Sequence, residues 1–143
     1  MSMSDGNREL TLRFYELVNA GEFDAFMELM ADDFVDHEEF PGIPSDKSGV
    51  RQFFTMMREA FPDLRIEPHD VVVEGDRVAV RMSMTGTHDG EFMGIPATGR
   101  KIDVAGFDLV RIRDGKAVEH WGVTDNLAMM QQLGAIPAEA PTG

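Results

Sequence analysis

Four side chains that can carry a proton stand among apolar residues in the second half of this 143-residue sequence: His88, Asp108, His120 and Asp125. In an apolar cavity, carboxyl and imidazole groups acquire shifted pKa values and can exchange protons near neutral pH. Other chemistries lack their residues. The sequence has no cysteine, no phosphate-binding glycine pattern and no Gly-x-Ser-x-Gly elbow, which excludes thiolate nucleophiles, disulfides and Cys-ligated metals. Acid–base chemistry in a pocket is what remains.

His88 is predicted to point into such a pocket. The even-numbered positions 78–84 are apolar and share one face of a strand, and the same face continues through Gly86 to His88. The alternative is a core or rim histidine that hydrogen-bonds a backbone carbonyl.

Asp108 interrupts the apolar, even-numbered face of a second strand, which is predicted from Lys101 to Arg113. Desolvation on such a face raises the pKa of a carboxyl group towards the range that is useful for proton transfer. Two alternatives remain open. Asp108 forms an ion pair with Arg81 or Arg111 on a neighbouring strand, or a bulge turns it outward.

The segment from Glu119 to Asp125 ends the last predicted strand and begins the final helix. Asp is a favoured N-cap residue, and spacing alone favours a capping role for Asp125 over a catalytic one. Trp121 is predicted to form a wall of the pocket, with its N–H bonded to a partner. His120 points to the opposite face of the strand from Trp121, and it either faces the pocket with His88 or lies behind it.

Helices must supply one layer of the fold, because apolar residues recur at helical spacing in three segments before Pro62. These segments begin behind Ser4, behind Gly21 and behind a cap at Ser45, and the second of them runs through Met30. The first half of the chain is therefore predicted to be helical.

Strands must supply the other layer, because the apolar period then falls to two. Glycine-containing turns at 74–76 and 114–115 predict hairpins, and a short last helix ends at Gly134. Helices followed by an antiparallel sheet predict an α+β fold, in which a curved sheet wraps around the helices and encloses a cone-shaped apolar pocket.

The composition predicts one soluble domain over residues 1–143, with a loosely ordered tail at about 137–143. The sequence is 43% hydrophobic and 27% charged, which is typical of a globular protein with a substantial core. It shows no basic and apolar export signal and no apolar run long enough to span a membrane. A cytoplasmic location is expected.

The net charge is −13, and most of it lies in the first 46 residues. A polyanion repels phosphate backbones and anionic lipid surfaces, which excludes nucleic acid and membranes as expected partners. The run Asp36-His37-Glu38-Glu39 is interpreted as a solvated loop, since consecutive residues do not converge on one metal ion. No metal site is expected, and the acids of this half are expected to favour solubility and not chemistry.

One stretch of the sequence is distinctive: Gly-Thr-His-Asp-Gly-Glu-Phe-Met-Gly-Ile-Pro-Ala-Thr-Gly-Arg at 86–100. It is followed by Asp-Gly-Lys at 114–116, Glu-His-Trp at 119–121, Asp125 and Gln-Leu-Gly at 132–134. Together these residues resemble the SnoaL-like polyketide cyclases, also described as ester cyclases.

The resemblance implies the NTF2-like cone fold. It also implies ring closure of an aromatic polyketide, often a methyl ester, by intramolecular aldol condensation without metal or organic cofactor. Asp125 would be the general acid/base, in place of the cap that spacing favours, and His88 would hydrogen-bond the enolate oxygen, with His120 assisting. The remaining residues expected to contact the small apolar carbonyl-containing substrate are His120, Trp121, Asp108, His37 and Phe92.

Proteins that share this scaffold have other functions, and these functions are the alternatives to polyketide cyclisation. Related proteins act as hydroxylases, isomerases, epoxide hydrolases or binding modules, so an isomerase, hydrolase or hydroxylase, or a non-catalytic small-molecule-binding module, is kept as the second hypothesis. A homodimer or higher homo-oligomer is expected, because the outward face of the sheet bears Phe107 and Leu109.

Overall fold

Three helices form most of the first half of the chain. In the computed structural model, which describes residues 2–137, α1 spans Met3–Ala20, α2 spans Phe23–Glu28 and α3 spans Lys47–Ala60. Gly21 separates the first two helices because it adopts a left-handed φ of 72°, a conformation that side chains disfavour.

Capping side chains fix where α1 and α3 begin. Ser2 accepts a hydrogen bond from the backbone N–H of Asp5 at 3.1 Å, and Asp46 accepts one from the backbone N–H of Gly49 at 3.1 Å. The predicted cap at Ser45 is therefore corrected to Asp46, whose carboxylate reaches the free N–H groups of the first helical turn.

The second half of the chain supplies most of a mixed sheet. Within residues 2–137 the strands are β1 Met30–Asp36, β2 Arg65–Glu74, β3 Arg77–Thr87, β4 Lys101–Arg113 and β5 Lys116–Thr124. Their order is β1-β5-β4-β3-β2, and every neighbouring pair is antiparallel except β1 with β5. The predicted α+β fold, with a curved sheet around helices, is confirmed.

The strand β1 corrects the predicted continuation of the second helix through Met30. Its burial does not alternate: Met30, Ala31 and Phe34 are buried, whereas the acidic pair between them faces solvent. The pairing register with β5 shifts within the strand, which explains the broken alternation. A short acidic strand of this kind lacks the periodicity by which strands are identified.

Alternation holds along β3 and β4. The even-numbered residues 78–86 of β3 and most of those between 102 and 112 of β4 are buried, as predicted. They belong to the hydrophobic core, which lies between the inner face of the sheet and the helices. One face of the sheet is therefore available to line a pocket, and the other faces outward.

The described chain closes with α4, Asn126–Gln132, which packs against β4. Gly134 follows it with a left-handed φ of 78°. The predicted tail at about 137–143 lies outside the described residues from residue 138 onward.

Candidate active site

A cavity of about 310 Å³ lies between the inner face of the sheet and the helices. Most of its wall is apolar, and each of the helices α1 to α4 contributes side chains to it. A volume of this size accommodates a small organic molecule. The aromatic part of the wall includes Phe14, Phe26, Phe34, Phe53, Phe54 and Phe92.

One wall of the cavity is polar. His120 donates through Nδ1 to Asp36 Oδ1 at 2.8 Å and through Nε2 to Asp108 Oδ1 at 2.8 Å. The hydroxyl of Tyr15 donates to the other oxygen of Asp108 at 2.6 Å. We call Asp36, His120 and Asp108 the carboxylate–imidazole chain; their side chains are only 19%, 19% and 14% exposed.

Strand pairing brings these distant residues together. Asp36 at the end of β1 lies opposite His120 of β5, and Asp108 of β4 lies opposite Gly122 of β5. His120 and Asp108 are therefore diagonal neighbours on the inner face, within reach of long side chains. Tyr15 reaches the same place from α1, where it is buried in the core.

The carboxylate–imidazole chain is charged at neutral pH. Burial alone would lower the pKa of His120, but the hydrogen bonds and charges of Asp108 and Asp36 outweigh it and raise that pKa to about 10. Burial, and then the charge of Asp108, raise the pKa of Tyr15 above its ordinary range, so the phenol keeps its proton. His120 is thus a fixed cation with both N–H groups in use, and it is not available as a base.

We expect the free energy of unfolding to fall as pH rises from about 6.5 to about 10. The pKa of His120 is about 10 in the folded protein and 6.5 ordinarily. Because the folded pKa is the higher one, the stabilisation is complete below pH 6.5 and is lost as pH rises through the folded value. Urea unfolding across this pH range would measure a loss on the order of a few kcal/mol.

The control for this prediction is His120→Gln, which keeps a hydrogen-bonding side chain but cannot take up a proton. The variant should lose most of the decline, because it lacks the imidazole group that releases its proton over this pH range. Equal slopes in the two proteins would contradict a charged His120.

Glu38 is a further acid that lines the cavity, next to Asp36. Its backbone N–H donates to Asp36 Oδ1 at 2.9 Å, and its carboxyl oxygen Oε2 is buried without a hydrogen-bond partner among the described residues. Burial raises the pKa of Glu38; the positive charge of His120 lowers it, and the charges of Asp108 and Asp36 raise it again. A Cβ atom at Gly122 would lie 2.5 Å from Oε2, so the carboxyl group fills space that the glycine leaves free.

Comparison with known proteins identifies the scaffold. Residues 9–133 match the family described as SnoaL-like polyketide cyclase; this range covers the whole sheet, α2 to α4 and the part of α1 from residue 9 onward. The chain belongs to the SnoaL-like polyketide cyclase family.

The chain is similar to DnrD of Streptomyces peucetius, an aklanonic acid methyl ester cyclase. It is 29% identical over 139 residues, which are 94% of this chain and 94% of DnrD. The structure of IdmH from Streptomyces antibioticus, a proposed polyketide cyclase, is 38% identical with a TM-score of 0.80, covering 90% of this chain and 98% of IdmH. AclR from Streptomyces galilaeus, a proposed hydroxylase, is 31% identical with a TM-score of 0.85, covering 99% and 87%. The NTF2-like cone fold is thereby confirmed.

Three of the residues predicted for a SnoaL-like site line the cavity: Asp108, His120 and Phe92. Asp108 faces inward, as the alternation along β4 predicts. It does not pair with Arg81 or Arg111, which bind acids on the outer side of the sheet. That these side chains contact a substrate stays a prediction.

The expectation that Asp125 and His88 converge on the cavity is corrected. The carboxylate of Asp125 is exposed, accepts a hydrogen bond from the backbone N–H of Ala128 at 3.0 Å and does not line the cavity, so it acts as the cap of α4 that spacing alone favours. His88 is fully buried, and its Nδ1 lies 2.9 Å from the hydroxyl of Thr98. The ring of Phe61 packs 5.5 Å from that of His88, and His88 does not line the cavity.

Trp121 and His37 are also placed differently from the expectation. Because His120 points inward, its neighbour Trp121 points to the outer face, where the ring of His37 stacks on it at 4.8 Å. His37 Nε2 lies 2.8 Å from Glu119 on the same face. Neither Trp121 nor His37 lines the cavity, so the predicted wall and contact roles are corrected.

Three polar residues of the site were not predicted from the sequence: Tyr15, Asp36 and Glu38. The hydroxyl of Tyr15 within the apolar stripe of α1 is a signal that could have found it, because a buried hydroxyl needs a partner. Asp36 and Glu38 stand in the acidic run interpreted as a solvated loop. The structure corrects that interpretation, since both side chains line the cavity.

Across residues 2–137, no group of three or more His, Asp or Glu side chains is arranged to hold a metal ion. No helix in the same range is long and apolar enough to cross a membrane.

Proposed function

We propose that the protein is a cyclase that closes a ring within a small apolar carbonyl compound by intramolecular aldol condensation, without a metal or organic cofactor. One observation carries the proposal: a charged carboxylate–imidazole chain stands beside a free carboxyl group at one wall of an otherwise apolar cavity. The cyclase relatives support the ring-closing part of the proposal.

Aldol closure needs three things that this wall offers. A base must take the proton from a carbon beside a carbonyl group, the resulting enolate must be stabilised, and an acid must protonate the new alkoxide. The imidazolium of His120 lies close enough to favour the negative charge of an enolate. The apolar walls bind the carbon skeleton and exclude water, which strengthens these electrostatic effects.

The substrate class is proposed to be an aromatic polyketide methyl ester, and the description of DnrD as an aklanonic acid methyl ester cyclase supports a methyl ester substrate. The phenylalanines of the cavity suit flat, apolar rings. The test is incubation of the purified protein, dialysed against a chelator, with such esters, followed by chromatography and mass spectrometry. The expected product of ring closure has one fewer ketone and one new carbon–carbon bond, and it has the mass of the substrate when the new alcohol is retained or that mass less one water when the alcohol is eliminated.

A hydroxylase is the second candidate, because AclR shares the fold at 31% identity. The same experiment separates the two, since hydroxylation adds the mass of one oxygen atom and consumes O₂. Tight binding without any conversion across the panel would instead indicate a binding module and would contradict the cyclase proposal.

We also propose that the protein is a homodimer. Phe107 and Val123 are paired on the outer face of the sheet and are 58% and 73% exposed, and Val72 on β2 is 64% exposed. A monomer gains free energy by covering such a surface with a second copy. Light scattering should give twice the chain mass for the wild type and the chain mass for Phe107→Asp; equal masses would contradict this face as the interface.

A further inference from the structure

The acids of the polar wall differ in how many of their oxygens are already bonded. Asp108 accepts from His120 through Oδ1 and from Tyr15 through Oδ2. Asp36 accepts from His120 and from the backbone N–H of Glu38, both through Oδ1. The side chains of Asp36 and Asp108 thus hold His120 and Tyr15 in place.

Glu38 has the opposite character. Its Oε2 is buried beside the cavity, and no hydrogen-bond donor among the described residues reaches it. A buried acceptor without a donor costs free energy, and such groups in native structures call for a functional explanation. A ligand in the cavity can supply the missing donor, and Oε2 is the one carboxyl oxygen among the described residues that is fully buried and has no hydrogen-bond partner.

Gly122 makes this position reachable. A Cβ atom built on Gly122 would lie 2.5 Å from Glu38 Oε2, 2.9 Å from His120 Cε1 and 3.0 Å from Asp108 Oδ1. The three side chains therefore converge on the space above this glycine. A ligand group in the part of the cavity next to these side chains would be within reach of both the unpaired carboxyl oxygen of Glu38 and the edge of the imidazolium.

We infer that Glu38 is the catalytic residue that takes the proton from the substrate and returns it, with His120 as its fixed counter-charge. This inference rests on the proposed aldol chemistry. The carboxylate of Glu38 removes a proton from the carbon beside a carbonyl, and the C–H electron pair becomes that of the enolate. The enolate carbon then bonds to the second carbonyl carbon, whose oxygen becomes an alkoxide and takes the proton back from the carboxylic acid.

The carboxyl group is suited to both directions of transfer. Burial raises the pKa of Glu38, and the charge of His120 limits that rise. A carboxyl whose pKa is raised is a stronger base and can hold the proton until the alkoxide forms. The charge of His120 also compensates the negative charge as it passes from carboxylate to enolate and back.

The test compares Glu38→Gln with the wild type in two assays. One follows ring closure of an aromatic polyketide methyl ester. The other follows hydrogen–deuterium exchange at the carbon between the carbonyls of methyl benzoylacetate in D₂O, a probe with no second ketone to close a ring on. Glu38→Gln should lower both rates by about 100-fold with little change in KM. Glu67→Gln, an exposed glutamate of β2, is the matched control and should keep wild-type rates.

The outcomes separate the two proposals. Ring closure by Glu38→Gln at the wild-type rate would overturn the assignment of Glu38 and leave the cyclase function standing. Exchange that depends on Glu38 without ring closure of any ester would overturn the aldol function and support Glu38 as the base. Wild-type protein that catalyses neither reaction would overturn both. Circular dichroism and the unfolding midpoint show that the variant is folded.

Discussion

Asparagine in place of Asp108 is expected to lower the free energy of unfolding by about 3 kcal/mol at neutral pH. The variant keeps the shape of the side chain but removes the charge that faces the imidazolium of His120. In the wild type both oxygens of Asp108 accept hydrogen bonds, one from Tyr15 and one from His120. The amide of asparagine replaces one of these oxygens with an NH₂ group, which faces a donor and cannot accept its hydrogen bond. Removing one partner of a buried ion pair lowers the free energy of unfolding by more than the intact pair contributes, because the other charge stays buried without its partner. Urea unfolding measures the difference directly.

Asp103→Asn is the matched control. Asp103 stands on the same strand, β4, but is exposed on the outer face, and only its backbone is hydrogen-bonded. Its substitution should change stability by less than about 0.5 kcal/mol. Tyr15→Phe should cost about 1 kcal/mol, the contribution of one hydrogen bond. An Asp108→Asn protein as stable as Asp103→Asn would show that the carboxylate–imidazole chain does not carry a buried charge.

The sheet could be predicted where the information is local. The bounds of β4, Lys101–Arg113, follow from an alternation that Gly106 and Asp108 alone interrupt on the inner face and from the Asp114-Gly115 turn behind it, and the structure has the same bounds. The same alternation places Asp108 on the inner face. Asp114 and Gly115 adopt the left-handed φ values, 52° and 72°, that a two-residue hairpin turn requires.

The strand β1 and its contribution to the site could not be predicted in this way. Asp36 meets His120 across 84 positions of sequence, through a parallel pairing that has no local signal. Without knowledge of that pairing, the acidic run has the pattern of a solvated surface, although Asp36 and Glu38 line the cavity. Most of the negative charge of the first 46 residues favours solubility, but these two acids belong to the site.

The alternation along a strand predicts which face of the sheet a side chain occupies, but it does not predict how far the cavity extends along that face. His88 continues the inner face, as the alternation predicts, but Phe61 covers it. Phe61 can do so because Gly86 has no side chain: a Cβ atom there would lie 3.0 Å from Phe61 Cβ. Sequence periodicity states which way a side chain points, and tertiary packing decides whether a ligand can reach it.

Valine in place of Gly122 is expected to lower ring closure and deuterium exchange by about 100-fold while the protein stays folded. The first added carbon would lie 2.5 Å from Glu38 Oε2, so the carboxyl group must leave its position. Two further methyl groups fill the space where Glu38, His120 and Asp108 converge. The flexible end of Glu38 can move, and overpacking of this kind costs about 1–3 kcal/mol. Ala105→Val adds the same two methyl groups on the exposed face of β4 and should leave both rates unchanged.

The double variant Glu38→Gln with Gly122→Val tests whether both changes act through one group. If valine acts by displacing the Glu38 carboxyl, the double variant loses no more activity than the single variants, about 100-fold, because the carboxyl can be removed only once. If valine acts elsewhere, for instance by narrowing the cavity, the losses multiply to roughly 10⁴-fold. If the activity losses of the two single variants multiply in the double variant, valine does not act through the Glu38 carboxyl. If the double variant is no slower than the single variants, the absence of a side chain at Gly122 is what allows the Glu38 carboxyl to occupy its position.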